Sequence, residues 1–180
     1  KEDVIKNKIK ELGYDEKIFE VIDPEKSPKA EIYAEEFYKK RQRKGITKRD
    51  ALNMMKIPNY FGSMMLELGD ADALLSGLTS HYPQTIRPAL QCIGVKEGVN
   101  IVSGMYIVII KRRIFFFADT TVNVDPTAEQ LAEIAINTAE TVKMFDIVPK
   151  IAMLSFSNFG SAPYPQTQKV AQAVKIVKEK

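Results

Sequence analysis

The sequence of 180 residues contains one cysteine, Cys92, and one histidine, His81. A single cysteine excludes an intrachain disulfide, and together with a single histidine it excludes a zinc site built from the usual ligands. No apolar run approaches the roughly 20 residues that span a bilayer; the longest, Met105–Ile110, is followed by three basic residues. The first residues are charged and lack the apolar core of a signal peptide. These absences predict a cytoplasmic protein with no membrane partner and no metal site.

The composition, with 45% hydrophobic and 27% charged residues, is that of an ordinary globular protein. The net charge of +3 arises within residues 1–56, which hold 15 basic and 12 acidic side chains. Seven basic residues cluster there: Lys39, Lys40, Arg41, Arg43, Lys44, Lys48 and Arg49. Such a cluster is ordinarily a solvated helix end, although it also attracts phosphorylated ligands. Nucleic acid is not expected as a partner, because no aromatic residues interleave with the basic ones.

Helical and extended patterns alternate along the chain. Helices are predicted over residues 2–12, 27–45, 47–55, from residue 58 onward, over 125–145 and over 165–178. Strands are predicted over residues 18–22, 70–77, 99–110, 114–118 and 151–155. This alternation predicts an α/β fold with a mostly parallel sheet covered by helices. In such folds ligands gather where strands end, which directs attention to the polar segments at those points.

The loop 157–161 follows the predicted strand 151–155 and is rich in hydroxyl groups. Its backbone N–H groups and serine hydroxyls suit an anion, and Gly160 permits close approach. A plain strand-to-helix turn is the equally weighted alternative. The loop is no Walker motif, because the pattern GxxxxGK[ST] is absent.

Arg87 directly precedes Pro88, which we predict to be a first helical residue. The guanidinium group would then lie beside a positive helix terminus, and both would attract an anion. The alternative is a salt bridge from Arg87 to Asp70 or Asp72, because buried carboxylates are commonly paired. Cys92 lies among apolar residues and is predicted to be an inert core thiol. Asp125 is predicted to cap the helix that follows it.

Four segments together resemble the phosphate acetyl/butyryltransferase family: NYFGSMMLELGDADALLSG, TIRPALQCIG, FFADTTVNVDPTAEQLAEIA and PKIAMLSFSNFGS. More closely, they resemble the phosphotransacetylase-like carboxyl-terminal region of bacterial multidomain NADP-dependent malic enzymes. Two loops carry that distinction, residues 81–85 and 157–161, because both depart from the versions typical of phosphotransacetylases. The resemblance implies a two-lobed architecture like that of isocitrate and isopropylmalate dehydrogenases, here incomplete. We assign residues 1–57, with the basic helix, to the first α/β lobe and residues 58–180 to the core lobe.

The same resemblance implies a site for phosphate or coenzyme A. Arg87 lies in the family's RPALQ motif, and Arg41 or Arg43 matches a second ligand-binding arginine in the basic segment. The other implied ligand-binding residues are Asp119 and Asn123 in the motif ADxxVN, and Ser157, Asn158, Gly160 and Ser161 in the ligand-facing loop. The family's catalytic Ser-Arg-Gly motif does not occur in the sequence. We therefore assign no catalytic residue and no metal ligand to this segment.

The resemblance supports two functional hypotheses. The first is a regulatory segment, not itself catalytic, that binds acetyl-CoA or another phosphorylated small molecule within a malic enzyme. The parent protein would decarboxylate malate oxidatively to pyruvate, and its dehydrogenase domain, outside this segment, would hold NADP and a divalent metal. The segment itself would need no cofactor and would form a homodimer or larger homo-oligomer. The alternative is an active phosphate acetyltransferase, which transfers acetyl between phosphate and coenzyme A.

Overall fold

The computed structural model describes residues 2–180. Within them the helices and strands follow in this order: α1 (Glu2–Glu11), α2 (Ala30–Arg41), α3 (Lys48–Met55), α4 (Pro58–Glu67), α5 (Tyr82–Cys92), β1 (Met105–Ile110), β2 (Arg113–Ala118), α6 (Ala128–Lys143) and α7 (Pro165–Glu179). Two 3-10 turns cover Glu16–Ile18 and Gln42–Lys44. The described residues divide into two compact units, the first ending at Gly94 and the second covering Val95–Lys180. None of the described helices combines the length and apolar character needed to span a bilayer.

In the first unit, helices α2 to α5 surround an aromatic core. Tyr33 and Phe37 lie four positions apart and therefore share one face of α2, where both are buried. The ring of Tyr33 packs 4.9 Å from that of Phe61, and the ring of Phe37 packs 5.6 Å from that of Tyr60 on α4. These edge and tilted contacts join α2 to α4 more firmly than area burial alone would.

The helix start predicted at Thr47 is confirmed. The Thr47 hydroxyl accepts a hydrogen bond from the Asp50 N–H at 3.2 Å, and the Asp50 carboxylate accepts from the Thr47 N–H at 3.1 Å. This reciprocal pair satisfies two backbone donors that a helix terminus otherwise leaves unbonded. At Gly45 the preceding turn ends with φ of 87°, a conformation that glycine adopts without strain.

The second unit combines a β-hairpin with two helices. Strands β1 and β2 are antiparallel, with a register that runs from the Met105–Ala118 pair to the Ile110–Arg113 pair. Helix α6 packs on β2. Just beyond the end of that helix, the ring of Phe145 lies 5.7 Å from that of Phe116 on β2. Helix α7 packs on α6 through small buried residues, which are Ala128, Ala132 and Ala173.

Thr127, rather than Asp125, caps helix α6. The Thr127 hydroxyl accepts from the Gln130 N–H at 3.2 Å, and Gln130 Oε1 accepts from the Thr127 N–H at 2.8 Å. The prediction that Asp125 is the cap is therefore wrong. Its carboxylate instead accepts a hydrogen bond from Lys169 on α7 at 2.5 Å.

The α/β fold class is confirmed, but the mostly parallel sheet predicted from the sequence is wrong for residues 2–180. The sheet described there is the antiparallel pair of β1 and β2. Segments 18–22, 70–77 and 151–155 carry no strand pairing. A strand requires a second backbone segment that offers matching hydrogen-bonding groups, and an apolar run in the sequence does not reveal that partner. The boundary assigned at residue 57 refers to lobes of a larger architecture and stays a prediction.

Candidate functional site

The basic cluster of residues 39–49 is partly paired with glutamates of the first unit. Three of its lysines form ion pairs: Lys39 with Glu36 at 2.7 Å, Lys48 with Glu35 at 3.0 Å, and Lys40 with Glu67. Lys40 also donates to the backbone carbonyl of Cys92 at 2.8 Å. Arg41 differs from these lysines, because its buried Nε has no hydrogen-bond partner among the described residues. A buried donor without an acceptor costs stability, so Arg41 is a candidate to bind an acceptor from outside residues 2–180.

Helix α5 carries Arg87 and continues through Pro88. It begins at Tyr82 with Pro83 in its first turn, so the prediction that Pro88 is a first helical residue is wrong. Pro88 lacks an N–H group and leaves the carbonyl of Gln84, four residues earlier, without its helical donor. The Asn59 side-chain amide on α4 donates to that carbonyl at 3.0 Å instead. Arg87 therefore lies within the helix and gains nothing from a helix N-terminus.

Arg41 and Arg87 line the same cavity of about 370 Å³. The remaining wall is formed by Pro83, Ile86, Leu90 and Gln91 of α5. Positions 83, 87 and 90 are spaced by four and three residues and therefore share one face of the helix. Of the two arginines that the sequence offers as alternatives, Arg41 lies at this cavity and Arg43 is not among its lining residues. Two guanidinium groups on one concave surface suit the oxygens of a phosphate.

The salt bridge considered for Arg87 is not formed. Asp70 accepts hydrogen bonds from Lys29 Nζ at 2.6 Å and from the Tyr33 hydroxyl at 2.5 Å. The hydrogen bond from Lys29, followed by that from Tyr33, holds the pKa of Asp70 below its usual value. Among residues 2–180, no carboxylate lies within ion-pair distance of Arg87 or Arg41. The cavity therefore carries uncompensated positive charge, which favours an anionic ligand.

The sequence did not identify Tyr60 and Gln91 as parts of this site. The hydroxyl of Tyr60, a residue that is only 6% exposed, donates to Gln91 Oε1 at 2.7 Å. Burial raises the pKa of that hydroxyl, Cys92 adds to the rise, and the charges of Arg87 and Arg41 oppose it. The signal in the sequence was the spacing of Gln91 four residues after Arg87, which places both on one helix face.

Asp119 and Asn123 organise the turn that follows β2. Asp119 Oδ1 accepts hydrogen bonds from the backbone N–H groups of Gly104, Thr121 and Val122 at 2.8, 3.0 and 3.1 Å. Its Oδ2 accepts from the Asn123 backbone at 2.7 Å and from the Asn123 amide at 2.5 Å. Burial pushes the pKa of Asp119 upward, but these hydrogen bonds outweigh it and hold the pKa at about 2. The carboxylate is thus saturated by its own chain, and the ligand role implied for the pair stays a prediction.

Hydroxyl groups close the loop 157–161 on itself. Ser161 Oγ accepts from the Asn158 N–H at 3.2 Å, and Ser157 Oγ accepts from the Ala162 N–H at 3.1 Å. The Ser161 N–H donates to the Asn158 carbonyl at 3.0 Å. Several of the donors that we expected to face an anion are therefore bonded within the loop. Gly160 has a φ of 82°, a conformation that glycine adopts without strain. The loop belongs to the second unit, and the ligand role implied for its residues stays a prediction.

Among residues 2–180, the structure shows neither a reactive thiol nor a group of metal ligands. Cys92 is buried, as predicted, and burial raises the pKa of its thiol to about 12, which makes it unreactive. Within residues 2–180, no three histidine, cysteine or acidic side chains are arranged to hold a metal ion.

Comparison with known proteins gives one family over the entire chain. The family model described as phosphate acetyl/butaryl transferase matches residues 1–180. A phosphate acetyltransferase of Bacillus subtilis is 44% identical over 179 residues, which are 99% of this chain and 55% of the relative. A solved phosphotransacetylase of Streptococcus pyogenes matches with a TM-score of 0.89 and 40% identity, covering 99% of this chain and 55% of that one.

A malic enzyme is also among the relatives. The NADP-dependent malic enzyme of Escherichia coli is 35% identical over an alignment of 181 positions, and the match covers 98% of this chain and 24% of the relative. The chain therefore spans between about a quarter and about half the length of the curated relatives it matches.

Proposed function

The chain belongs to the phosphate acetyl/butaryl transferase family, and we propose that it forms the phosphate- and coenzyme A-binding part of a phosphate acetyltransferase. The observation that carries this proposal is the cavity lined by both Arg41 and Arg87, with no described carboxylate to neutralise either. Identity to phosphate acetyltransferases reaches 44%, against 35% for the malic enzyme, which supports this function over the malic enzyme hypothesis.

The two guanidinium groups suit the charge changes of acetyl transfer. The thiol sulfur of coenzyme A attacks the acetyl carbonyl carbon of acetyl phosphate, a C–S bond forms, and the C–O bond to phosphate breaks. The thiol proton is released, and the departing phosphate gains negative charge. Fixed cations at the departing oxygens stabilise that charge and orient the acyl phosphate, which are the two contributions that positioning and electrostatics make to catalysis. The chain has no Ser-Arg-Gly motif, so its role in this proposal is ligand binding.

The proposal includes the two-lobed architecture of the isocitrate and isopropylmalate dehydrogenases. Several large apolar side chains are almost fully exposed, among them Leu75, Leu78, Val124, Leu154 and Phe159. Some lie in or beside segments that the sequence predicts as strands, and exposed apolar groups of this kind mark surfaces that pack against other polypeptide. In the two-lobed architecture these segments gain strand partners that residues 2–180 do not provide. A cytoplasmic location stays a prediction.

The second candidate is the regulatory segment of a malic enzyme. It is favoured by loops 81–85 and 157–161, which depart from the phosphotransacetylase pattern, and by the match to the E. coli enzyme over 98% of the chain. In that case the same cavity binds acetyl-CoA as an effector. NADP and a divalent metal would then belong to a dehydrogenase domain outside these residues.

An assay of the protein that carries this chain separates the two candidates. Acetyl-CoA is incubated with phosphate, and release of the coenzyme A thiol is followed. We expect phosphate-dependent release, with the KM for phosphate raised about tenfold or more in Arg87→Ala, because a charge-assisted hydrogen bond is lost. Arg49→Ala, which removes an exposed arginine outside the cavity, is the matched control and should behave as the wild type. Absence of phosphate-dependent release would overturn the proposal, and malate-dependent reduction of NADP in its place would support the second candidate.

A further inference from the structure

The side chain of Gln91 lies on the wall of the cavity that Arg41 and Arg87 also line. Its Oε1 accepts the hydrogen bond from the Tyr60 hydroxyl. The oxygen of the carboxamide is therefore engaged, and the Nε2 group lies on the other side of the carboxamide. Within residues 2–180, Nε2 has no hydrogen-bond partner of its own. Two N–H donors are therefore available beside two cationic groups, and all of these are groups that bind anionic oxygens.

Tyr60 is well suited to fix the direction of this carboxamide. It is buried on α4, and its ring packs against that of Phe37, so its hydroxyl has little freedom to move. A buried hydroxyl proton requires an acceptor, and an amide oxygen provides one whereas an amide N–H₂ group does not. A carboxamide rotated by 180° would leave the hydroxyl proton of Tyr60 without an acceptor. Because an unpaired buried donor costs free energy, the observed orientation is favoured.

We propose that Gln91 donates a hydrogen bond to the phosphate group that Arg41 and Arg87 bind, and that Tyr60 is a positioning residue acting through Gln91. This inference rests on the proposed function, because it concerns the same cavity. The guanidinium groups of Arg41 on α2 and Arg87 on α5, and the amide of Gln91 on α5, each bind a different oxygen of the tetrahedral phosphate. The neutral donor adds geometric selectivity without adding charge.

The test measures binding of inorganic phosphate by calorimetry. Gln91→Glu keeps the shape of the side chain but replaces the donor with a negative charge, and we expect it to weaken binding by about tenfold or more. Gln91→Ala removes the side chain altogether, and we expect a loss of about three- to tenfold. Tyr60→Phe should give a smaller loss, because it frees the carboxamide without deleting it.

A double variant separates positioning from a general effect on folding. In a Gln91→Ala background, Tyr60→Phe should have no further effect on phosphate affinity, because the group through which it acts is gone. Tyr33→Phe is the matched control: Tyr33 is a buried tyrosine of the same unit whose hydroxyl binds Asp70, outside the cavity. It should leave phosphate affinity unchanged.

The outcomes distinguish this inference from the function on which it rests. If Arg87→Ala loses phosphate while both Gln91 variants and Tyr60→Phe bind as the wild type does, the role of Gln91 is wrong and the proposed site stands. If Tyr60→Phe weakens binding equally with and without Gln91, the positioning role is wrong. If Arg87→Ala itself binds phosphate normally, or the wild type binds none, the proposed site is wrong as well.

Discussion

Arg87 is available to a ligand because no described carboxylate forms an ion pair with it. Asp70 is held by Lys29 and Tyr33, and Glu67 is paired with Lys40. The Arg87 guanidinium is therefore an exposed cation at a cavity, and no described ion pair depends on it. Its removal should affect binding and leave the fold intact.

We predict that Arg87→Ala weakens binding of acetyl-CoA by about 1.5–3 kcal/mol, the range for a hydrogen bond to a charged group. Calorimetry gives the affinity, and urea denaturation gives the free energy of unfolding, which should stay near the wild-type value. Arg49→Ala serves as the control for a lost surface charge. An unchanged affinity in a folded Arg87→Ala protein, or a variant that unfolds, would contradict the prediction.

Asp119 has a structural part in the second unit, whatever its role toward a ligand. We predict that Asp119→Asn lowers the free energy of unfolding by about 1–2 kcal/mol at neutral pH, allowing for partial solvent screening. The folded-state pKa of about 2 lies below the ordinary value, so the stabilisation is fully present above about pH 5 and is lost as the pH falls toward 2. The difference between wild type and variant should shrink over that interval. A difference that does not vary with pH would show that ionised Asp119 is not its source.

Asn59 on α4 allows helix α5 to continue through Pro88. Its amide donates to the Gln84 carbonyl, and its Oδ1 accepts from the Ser76 hydroxyl at 2.6 Å. One side chain of α4 therefore fixes both the start of α5 and the segment that leads into it.

We predict that Asn59→Ala destabilises the protein by about 1–2 kcal/mol, because the Gln84 carbonyl loses its donor. It should also weaken phosphate binding, since Arg87 lies at the part of α5 that this bond supports. Thermal denaturation and phosphate titration test both effects, with Asn53→Ala, an exposed asparagine on α3, as the matched control. Wild-type stability and affinity in Asn59→Ala would show that α5 does not need this bond.

Helices were predictable from the sequence to the extent that their signals are local. The Thr47–Asp50 pair marks the start of α3 within four residues, and the apolar spacing of α6 identifies its packed face. The hairpin was also predictable, because its two strands are adjacent in the sequence. The lack of strand pairing in segments 70–77 and 151–155 was not predictable, because an apolar run occurs both in strands and in unpaired extended segments. The position of Pro88 inside α5 was not predictable either. The Gln84 carbonyl, which loses its helical donor at Pro88, accepts a hydrogen bond from Asn59, and Asn59 lies 29 positions before Pro88 in the chain.

The site was predictable only in part. Arg87 followed from its motif, but the choice between Arg41 and Arg43 depends on where α2 ends and which side chain faces the cavity. The contact between Tyr60 and Gln91 joins two helices and has no local signature. Asp119 shows the reverse case, because a motif residue proved to be saturated by backbone N–H groups of its own turn.

Several large apolar side chains of the described residues are exposed and are accessible to other polypeptide. A homodimer would bury some of these apolar side chains, and it stays a prediction. Light scattering at tens of micromolar protein should give twice the protomer mass. A protomer mass at that concentration would contradict the expected homodimer.

The most direct test of the central claim is the position of phosphate in crystals of the protein grown with it. We predict phosphate between the guanidinium groups of Arg41 and Arg87, with hydrogen bonds of about 2.7–2.9 Å to both, and the Gln91 amide facing the same phosphate. Phosphate bound only at the loop 157–161, with the Arg41 and Arg87 cavity empty at saturating concentration, would contradict it.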